Sequence, residues 1–317
     1  TVIEARDRIG GRIHTVEEWG APIELGAAWV HGVQGNPIAT LATAAGLRLI
    51  PTNYDDEVIH DTSTARPSPP AQAAQDRLDR LTSALEDQSS PRSLSVERWL
   101  LEHRYPDDRF TAWAKATTIT QEYGLDPRAL AARALQEGES DAGGDAMVAG
   151  GYAAVPAGLL AGIEVRLSTA ATSVAAGDTD VLVRTGPGDL RADAVVVAVP
   201  LALLQIGSPA IAGMAGGVRR ALRSLTTGNL EKVVLRYDEQ WWPDAQVLGV
   251  VGGGVPGAPA GSAASLRWTE VYPLTAVTGF PALVAFSGGL AARRMPLSDS
   301  ACIGEASAAL DAAFGRH

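Results

Sequence analysis

Residues 2–15 read VIEARDRIGGRIHT, and this stretch has the features of a nucleotide-binding turn. Its first apolar residues are typical of the end of a strand, and Glu4 follows them directly. A carboxylate at a strand end accepts hydrogen bonds from the two ribose hydroxyls in dinucleotide-binding units. Gly10 and Gly11 allow the backbone to adopt positive φ or to approach a phosphate closely. By itself, the stretch indicates either a dinucleotide site or an edge strand followed by a charged surface turn.

Three arginines, Arg6, Arg8 and Arg12, lie in the same stretch. The guanidinium group presents a planar fork of donors that suits the oxygens of a pyrophosphate. We therefore expect this turn to hold the phosphate side of a nucleotide as well as its ribose.

Residues 4–15 resemble the E-A-R-D-R-x-G-G-R segment of the flavin-containing amine oxidases. That family includes monoamine oxidases, polyamine oxidases and lysine-specific histone demethylases. Residues 24–32, ELGAAWVHG, resemble the family's E-L-G-A-x-W-[IV]-[HE]-G. The resemblance covers nearly the whole chain and is strongest over residues 2–37, 150–200 and 228–243.

The resemblance implies an α/β fold of two domains with FAD as the cofactor. A Rossmann-like FAD-binding domain, incomplete in this chain, would comprise residues 1–50 and 146–206. A substrate-binding domain of mixed sheet and helices would comprise residues 51–145 and 207–317.

The ends of the chain fall inside the family pattern. In the family, a G-x-G-x-x-G turn precedes the acidic residue by roughly 20 residues, whereas this chain begins at Thr1. It ends at His317, before the family's final F-A-G-E motif. We therefore expect a fragment that lacks both motifs and binds FAD weakly or not at all, because the missing turn supplies backbone donors to the pyrophosphate.

Composition excludes several classes of function. The 36 acidic residues outnumber the 26 basic ones, for a net charge of −10, which argues against nucleic acid as a partner. The hydrophobic content of 46% is that of a globular chain, and no apolar run reaches the ~18 residues of a membrane span. Cys302 is the only cysteine and the five histidines are scattered, so we expect no metal. We expect a cytoplasmic, bacterial protein, with a signal peptide left open by the absent N-terminal Met.

Apolar spacing predicts the secondary structure between the motifs. Residues 231–237 alternate as a strand, with Lys232 on the opposite face from Val233. The other predicted elements are helices within 71–140 and over 298–314, a hairpin of 172–176 with 180–185, and a fully buried strand at 192–199.

Lys232 lies in GNLEKVV, residues 228–234, and WWP follows at residues 241–243. In the family, the lysine of this segment holds a water against flavin N5. The resemblance thus implies a catalytic role for Lys232; the alternative is a solvated lysine at a strand end.

The resemblance also implies a set of contacts to the cofactor and the substrate. His31 falls where polyamine oxidases have a residue at the substrate channel, although an ordinary partly buried histidine is nearly as good an interpretation. The cofactor contacts implied by the resemblance are Glu4, Ala5, Arg6, Gly10, Gly11, Arg12, Gly26, Ala27, Ala28, Trp29, Ala171 and Pro200.

The activity implied by the resemblance is oxidation of a small amine. A hydride would pass from the carbon beside the neutral amine to flavin N5, the imine would hydrolyse, and O2 would become H2O2. The sequence WVHG at residues 29–32 favours the polyamine oxidase branch. Two alternatives stay open: a flavin desaturase or protoporphyrinogen-type oxidase of the same fold, and a non-catalytic partial chain.

Overall fold

A computed structural model of the protein describes residues 1–85, 94–136, 142–253, 262, 265–295 and 298–315. The strands in these ranges are β1 Val2–Ile3, β2 Thr15–Glu18, β3 Ala21–Glu24, β4 Trp29–Val30, β5 Arg48–Pro51, β6 Glu57–Asp61, β7 Arg66–Pro67, β8 Ala146–Ala149, β9 Val165–Arg166, β10 Ala171–Ala176, β11 Val181–Thr185, β12 Leu190–Ala192, β13 Ala210–Ile211, β14 Leu230–Arg236, β15 Val247–Val251, β16 Glu270–Pro273 and β17 Ala282–Gly288.

The α-helices in the same ranges are α1 Pro37–Ala44, α2 Pro69–Leu85, α3 Val96–Glu102, α4 Arg109–Lys115, α5 Ala154–Leu159, α6 Leu201–Gln205, α7 Gly216–Ser224, α8 Thr275–Thr278, α9 Gly289–Arg293 and α10 Asp299–Phe314. A π-helix, Ala116–Gln121, continues α4, and a 3₁₀ helix spans Ala132–Gln136. None of the helices within the described ranges is long and apolar enough to cross a membrane.

The largest sheet has six strands in the order β14-β17-β16-β15-β6-β7. Only β15 and β6 run parallel within it; the other neighbours are antiparallel. Val233 and Leu235 of β14 point to the face that α10 covers, where they join a cluster with Leu310. The alternation predicted for residues 231–237 is therefore confirmed, and it directs Lys232 to the opposite face.

The predicted helices are confirmed in both regions. Asp108 caps α4 by accepting hydrogen bonds from the amides of Phe110 and Thr111, and Ser298 caps α10 in the same way. These short polar side chains satisfy amide groups that have no partner inside the helix. The first three helices of the region pack around the buried side chains of Leu78, Trp99 and Trp113.

The remaining strands of the described ranges form four smaller sheets. β1 pairs in parallel with β9, and β2 forms a hairpin with β3. β8 pairs with both β4 and β5. The predicted hairpin is confirmed as β10 and β11, which lie in a four-stranded sheet of order β12-β11-β10-β13.

The predicted buried strand at residues 192–199 is wrong. β12 ends at Ala192, the following residues form no strand, and Val196 is 91% exposed. A strand requires hydrogen bonds from a neighbouring strand. In the described ranges no segment pairs with residues 193–199, so the apolar run has neither a partner nor a covering layer.

Candidate active site

The carboxylate of Glu4 stands at the carboxyl end of a parallel strand pair. Its backbone amide donates to the Arg166 carbonyl of β9 at 2.9 Å, and its carbonyl accepts from the Thr169 amide at 2.8 Å. One carboxylate oxygen, Oε1, accepts from the Arg6 amide at 2.8 Å. The backbone is thus fixed on both sides, which holds the carboxylate where a ribose would meet it. Ala5 follows it on the surface.

The glycine pair forms the turn that the sequence predicts. Gly10 and Gly11 have φ values of +98° and +58°, the region that favours glycine. A Cβ on Gly10 would lie 2.6 Å from the carbonyl oxygen of Ile13, whereas one on Gly11 would meet nothing within 4 Å. Gly10 is therefore required by close contact as well as by backbone conformation.

Arg8 supports this turn from inside. Its guanidinium group donates to the carbonyls of Ile9 and Ile13 at 3.1 Å and to that of Gly11 at 3.0 Å. Three of the five donors of Arg8 are therefore used within the turn, and a contact of this arginine with a phosphate stays a prediction. Arg6 and Arg12 are exposed.

A backbone bridge, residues 26–28, connects the glycine turn with the rest of the site. The amide of Gly26 donates to the His14 carbonyl at 3.3 Å, and that of Ala27 donates to the Arg12 carbonyl at 3.1 Å. A Cβ on Gly26 would lie only 2.0 Å from the Arg12 oxygen. The close approach of the two segments thus depends on glycine at this position. The carbonyl of Ala28 in turn accepts a bond from β8.

We expect Gly26→Ala to lower the free energy of unfolding by about 1–3 kcal/mol, the usual range for overpacking. The added methyl group would meet backbone atoms, which cannot rotate away. Urea denaturation measures the effect. Gly158→Ala is the control, because a Cβ there would meet nothing within 4 Å. Equal stability of the two variants would show that the bridge is loosely packed.

Lys232 reaches this bridge from β14. Its Nζ donates to the carbonyl of Gly26 and lies 5.8 Å from the ring centre of Phe286. It lines a cavity of about 20 Å³ together with Glu24 and Ala28, a volume close to what one water needs. Burial lowers the pKa of Lys232 to about 8, although Glu24 opposes the change. Lys232 is therefore not a solvated residue at a strand end.

Four aromatic side chains form a wall beside Lys232, here called the aromatic wall: Trp29, Tyr54, Tyr272 and Phe286. The ring centres of Trp29 lie 5.1 Å from Tyr272 and 5.9 Å from Phe286. Tyr54 meets Tyr272 edge to face at 6.4 Å. The indole of Trp29 donates to the hydroxyl of Thr52 at 2.9 Å, which fixes its orientation.

Register places an acidic side chain in the same row as Lys232. Lys232 pairs with Phe286 of β17, and Phe286 pairs with Glu270 of β16. Paired residues of antiparallel strands share a face, and neighbouring strands lie about 4.8 Å apart. The Cα atoms of Glu270 and Lys232, two strands apart, are therefore separated by about 10 Å. Burial, with a smaller effect of Glu57, raises the pKa of Glu270 to about 8.

Sequence reasoning did not single out Glu270, Tyr272 or Phe286. The only signal was a carboxylate in the short apolar stretch TEVYP, residues 269–273. Such a carboxylate is unusual on a strand that is covered by other residues. Glu24 lay in the quoted ELGA segment but was not chosen as a site residue.

His31 lies at the outer end of this region, and its side chain is 71% exposed. Its Nδ1 lies 2.6 Å from Oδ2 of Asp145, which also accepts from the hydroxyl of Tyr54, and the other oxygen, Oδ1, accepts from the amide of Gly32. Although burial opposes them, these hydrogen bonds lower the pKa of Asp145. His31 is thus not partly buried, and Asp145 links it to the aromatic wall.

The last two cofactor residues lie differently. Ala171 opens β10, two residues after Thr169, whose amide binds the Glu4 carbonyl, and is therefore close to the Glu4 strand end. Pro200 precedes α6 and is exposed. Within the described residues, no backbone hydrogen bond joins residues 193–200 to the glycine turn, and the assignment of Pro200 to the cofactor site stays a prediction.

A carboxylate at the end of a parallel strand, followed by a glycine turn, places the chain among α/β proteins that bind a dinucleotide cofactor. Comparison with known sequences narrows that class. The chain belongs to the family of flavin-containing amine oxidoreductases, whose family model matches residues 1–317. The cofactor of that family is FAD.

Individual relatives agree with this assignment. Polyamine oxidase 2 of Arabidopsis thaliana is 28% identical over 327 aligned positions, which cover 95% of this chain and 64% of the relative. Polyamine oxidase 4 of Oryza sativa subsp. japonica is 27% identical over 280 positions, covering 80% of this chain and 57% of the relative. The chain thus spans about three fifths of the length of these relatives.

Solved structures confirm the predicted fold. A putrescine oxidase bound to putrescine aligns with a TM-score of 0.74 at 21% identity, covering 99% of this chain and 76% of that chain. Cyclohexylamine oxidase from Brevibacterium oxydans aligns with a TM-score of 0.73 at 20% identity and the same coverage. The α/β fold of the flavin amine oxidases is therefore the fold of this chain.

Proposed function

We propose that the protein uses FAD to oxidise a small amine to an imine, which hydrolyses to an aldehyde, while O2 is reduced to H2O2. The observation that carries this proposal is the position of Lys232. A cationic side chain is held by a backbone bridge, lines a cavity of about one water and faces an aromatic wall. Such a donor stabilises negative charge on a flavin or on oxygen.

The residues at the Glu4 strand end fit a bound FAD. In the described part of the chain, Oε1 of Glu4 has one bond, to a backbone amide, and Oε2 has none, so the carboxylate retains acceptor sites for ribose hydroxyls. Arg6 and Arg12 are exposed beside the glycine turn and can meet phosphate oxygens. Bound FAD would supply the acceptor for a hydride and would return the electrons to O2.

The side chain of Lys232 would orient water at the reacting centre. An ammonium group has three donor positions, and the Gly26 carbonyl uses one of them. The other donors can serve a water in the cavity. With a pKa of about 8, the side chain is mostly charged at neutral pH and loses its proton as the pH rises above about 8.

The aromatic wall and Glu270 favour a substrate with a second, cationic amine. Aromatic faces attract ammonium groups, and the Glu270 carboxyl about 10 Å from Lys232 in the same row could pair with the far amine. The positive charge of that amine would favour the ionised carboxylate against the burial that raises its pKa. The amine next to the flavin must lose its proton before oxidation, whereas the far amine must stay charged to pair with Glu270. A diamine can meet both requirements because its two amines have different surroundings. The polyamine and putrescine oxidases among the relatives support this choice.

Peroxide release from amines tests the proposal. The protein is saturated with an excess of FAD, and binding is verified by the change in FAD fluorescence. It is then mixed without oxygen with putrescine, spermidine or butylamine, and bleaching of the bound flavin is followed. Air is then admitted, and H2O2 is measured. Bleaching by an amine followed by peroxide supports an amine oxidase. A flavin that no amine reduces would contradict the proposal. Reduction of that flavin by a porphyrinogen would favour the alternative oxidase, and a flavin that neither compound reduces would favour a non-catalytic chain.

Glu270→Gln is expected to lower kcat/KM for putrescine about tenfold relative to butylamine, because the far ammonium loses one charge-assisted contact of about 1.5 kcal/mol. Steady-state peroxide assays with the two amines measure the ratio. Glu239→Gln, at an exposed position after β14, is the control. An unchanged ratio of kcat/KM for the two amines in Glu270→Gln would show that this carboxyl does not bind the second amine.

The proposed division into domains is supported by the composition of the sheets. The six-stranded sheet uses only strands from residues 51–145 and 207–317, whereas β1, β9, β10, β11 and β12 belong to residues 1–50 and 146–206. β13, residues 210–211, pairs with β10. That pairing favours a boundary a few residues after 206. Under this division, the contact of Lys232 with Gly26 lies between the two domains.

A further inference from the structure

Glu24, the last residue of β3, is a buried carboxylate with fixed neighbours. Only 8% of the residue is exposed. Both of its oxygens accept from the hydroxyl of Thr15, at 3.0 and 2.8 Å, and Oε1 also accepts from the Tyr152 amide at 2.7 Å. The Ala153 amide donates to the Thr15 hydroxyl at 2.9 Å. The carboxylate is therefore held in one position by a hairpin and a helix start.

Glu24 and Lys232 line the same small cavity from opposite elements. Glu24 lies two residues before Gly26, whose carbonyl accepts from Lys232 Nζ. Residues 24–26 therefore act on Lys232 in two ways. The carbonyl of Gly26 is its direct hydrogen-bond partner, and the carboxylate of Glu24 is the countercharge of its ammonium group. The position of Glu24 relative to the lysine is fixed by Thr15 and the amides of Tyr152 and Ala153.

The other charged and titratable groups around Lys232 act from further away. On β14 itself, Glu231 and Arg236 are exposed. On the strands packed beside it, Glu270 is two strands away. Tyr152 lies beyond Glu24, and its pKa is raised by burial and by that carboxylate. Glu24 is the one group in the described ranges whose charge raises the pKa of Lys232 against burial.

We propose that Glu24 is a positioning residue for Lys232, and that its buried carboxylate keeps the lysine ammonium charged and directed at the cavity. Burial of an ammonium without a countercharge would favour its neutral form. A neutral amine at this place would offer one acceptor and fewer donors. Burial raises the pKa of the Glu24 carboxyl, and the bonds from the Tyr152 amide and the Thr15 hydroxyl, together with the charge of Lys232, oppose that change by favouring the ionised form. The Ala153 amide holds the Thr15 hydroxyl in place.

The consequence for catalysis rests on the proposed function, but the effect on the lysine does not. If Lys232 donates to a water or to reduced oxygen species in an amine oxidase, loss of Glu24 lowers the pH up to which that donor is available. The proton equilibrium of Lys232 itself exists with or without turnover. Its pKa can therefore be measured independently of any substrate.

The chain offers a direct measurement, because Lys115 and Lys232 are its only lysines. Protein grown on lysine labelled with ¹³C at Cε shows two signals, and Lys115→Arg assigns them. Titration of each Cε shift against pH yields the two pKa values. Lys115, on α4, lies 3.6 Å from Asp107 and away from Glu24, so its signal reports whether a variant has kept its fold.

Glu24→Gln is expected to lower the pKa of Lys232 by about one pH unit, as loss of a nearby opposite charge does, and to leave Lys115 unchanged. The Gln side chain can still accept from Thr15 and the Tyr152 amide. Glu17→Gln, an exposed glutamate of the same hairpin, is the matched control and should shift neither signal. Glu24→Asp keeps the negative charge, so the pKa of Lys232 in that variant should stay close to the wild-type value.

A Lys232 pKa in Glu24→Gln within about 0.3 pH units of the wild-type value would overturn the inference. If Glu24→Gln disturbs the Lys115 signal, Thr15→Val replaces it, because that variant frees the carboxylate without removing it. Thr15→Val should then also lower the Lys232 pKa, and an unchanged value would again contradict the proposal.

The kinetic measurement is a separate arm. In the FAD-loaded protein, the pH at which flavin reoxidation slows should fall in Glu24→Gln in parallel with the Lys232 pKa, while KM for the amine stays the same. An NMR shift without any amine oxidation would leave the positioning role intact and contradict only the proposed function. Oxidation with an unmoved pH profile would remove the catalytic consequence of Glu24.

Discussion

Lys232→Met is expected to slow reoxidation of the reduced flavin by O2 about 10²-fold, the usual effect of losing one preorganised donor. Methionine is similar in length and can fill the same half-buried place beside Phe286. The fold and the FAD contacts should remain, because the carboxylate of Glu4 and the glycine turn lie in other segments. What the variant lacks is the charge that would stabilise developing negative charge on oxygen.

The pH dependence of the same step should follow Lys232. Its pKa is lowered to about 8 by burial, so the wild-type lysine is charged below that pH and neutral well above it. Reoxidation should therefore be fast below pH 8 and slow as the pH rises through it. Lys232→Met should be slow throughout and show no such transition.

Stopped-flow spectroscopy separates the two half-reactions. Reduction by the amine is followed without oxygen, and reoxidation is followed after mixing the reduced protein with O2. Lys115→Met, the same change at the only other lysine, is the matched control. Both half-reactions of Lys232→Met within about threefold of wild type, well under the usual loss from one donor, would show that the lysine has no catalytic role.

Glu4→Ala should raise the dissociation constant of FAD by about 10²-fold or more, because two hydrogen bonds to a carboxylate contribute about 1.5–3 kcal/mol each. In the structure the side chain bonds only to the Arg6 amide within the described residues. Its removal should therefore leave the strand pair and the glycine turn in place. Turnover of whatever protein retains FAD should be unchanged.

Titration of FAD fluorescence with the apoprotein measures this affinity, and the thermal midpoint without FAD reports the fold. Asp7→Ala removes an exposed acid three residues further along the same stretch and is the control. An unchanged dissociation constant in Glu4→Ala, with Asp7→Ala behaving alike, would remove Glu4 from the cofactor site.

Local sequence patterns were sufficient for several parts of this protein. Alternation along residues 231–237 placed Lys232 opposite Val233, and the sheet has that arrangement. The glycine pair predicted a turn of positive φ, and apolar spacing predicted the helical regions that contain α4 and α10. These features depend on neighbours within a few residues, whose spacing is visible in the sequence.

Resemblance carried the family and the cofactor, which composition and spacing left open. An acidic strand end with two glycines also suits a surface turn, and only the longer match across residues 4–15 and 24–32 separated the two interpretations. The apolar run at 192–199 shows the opposite case. Its composition predicted burial, but a strand is buried only when another segment supplies hydrogen bonds and cover.

The sequence by itself determined the turn at Gly10, the faces of the strand that carries Lys232, and the strand-end position of Glu4. Only the tertiary structure brought Lys232 onto the carbonyl of Gly26, 206 residues away, and placed Glu270 in its row. The reason is physical: strand register and the packing of one segment on another set distances between residues far apart in the chain. Those distances leave no periodic trace in the sequence.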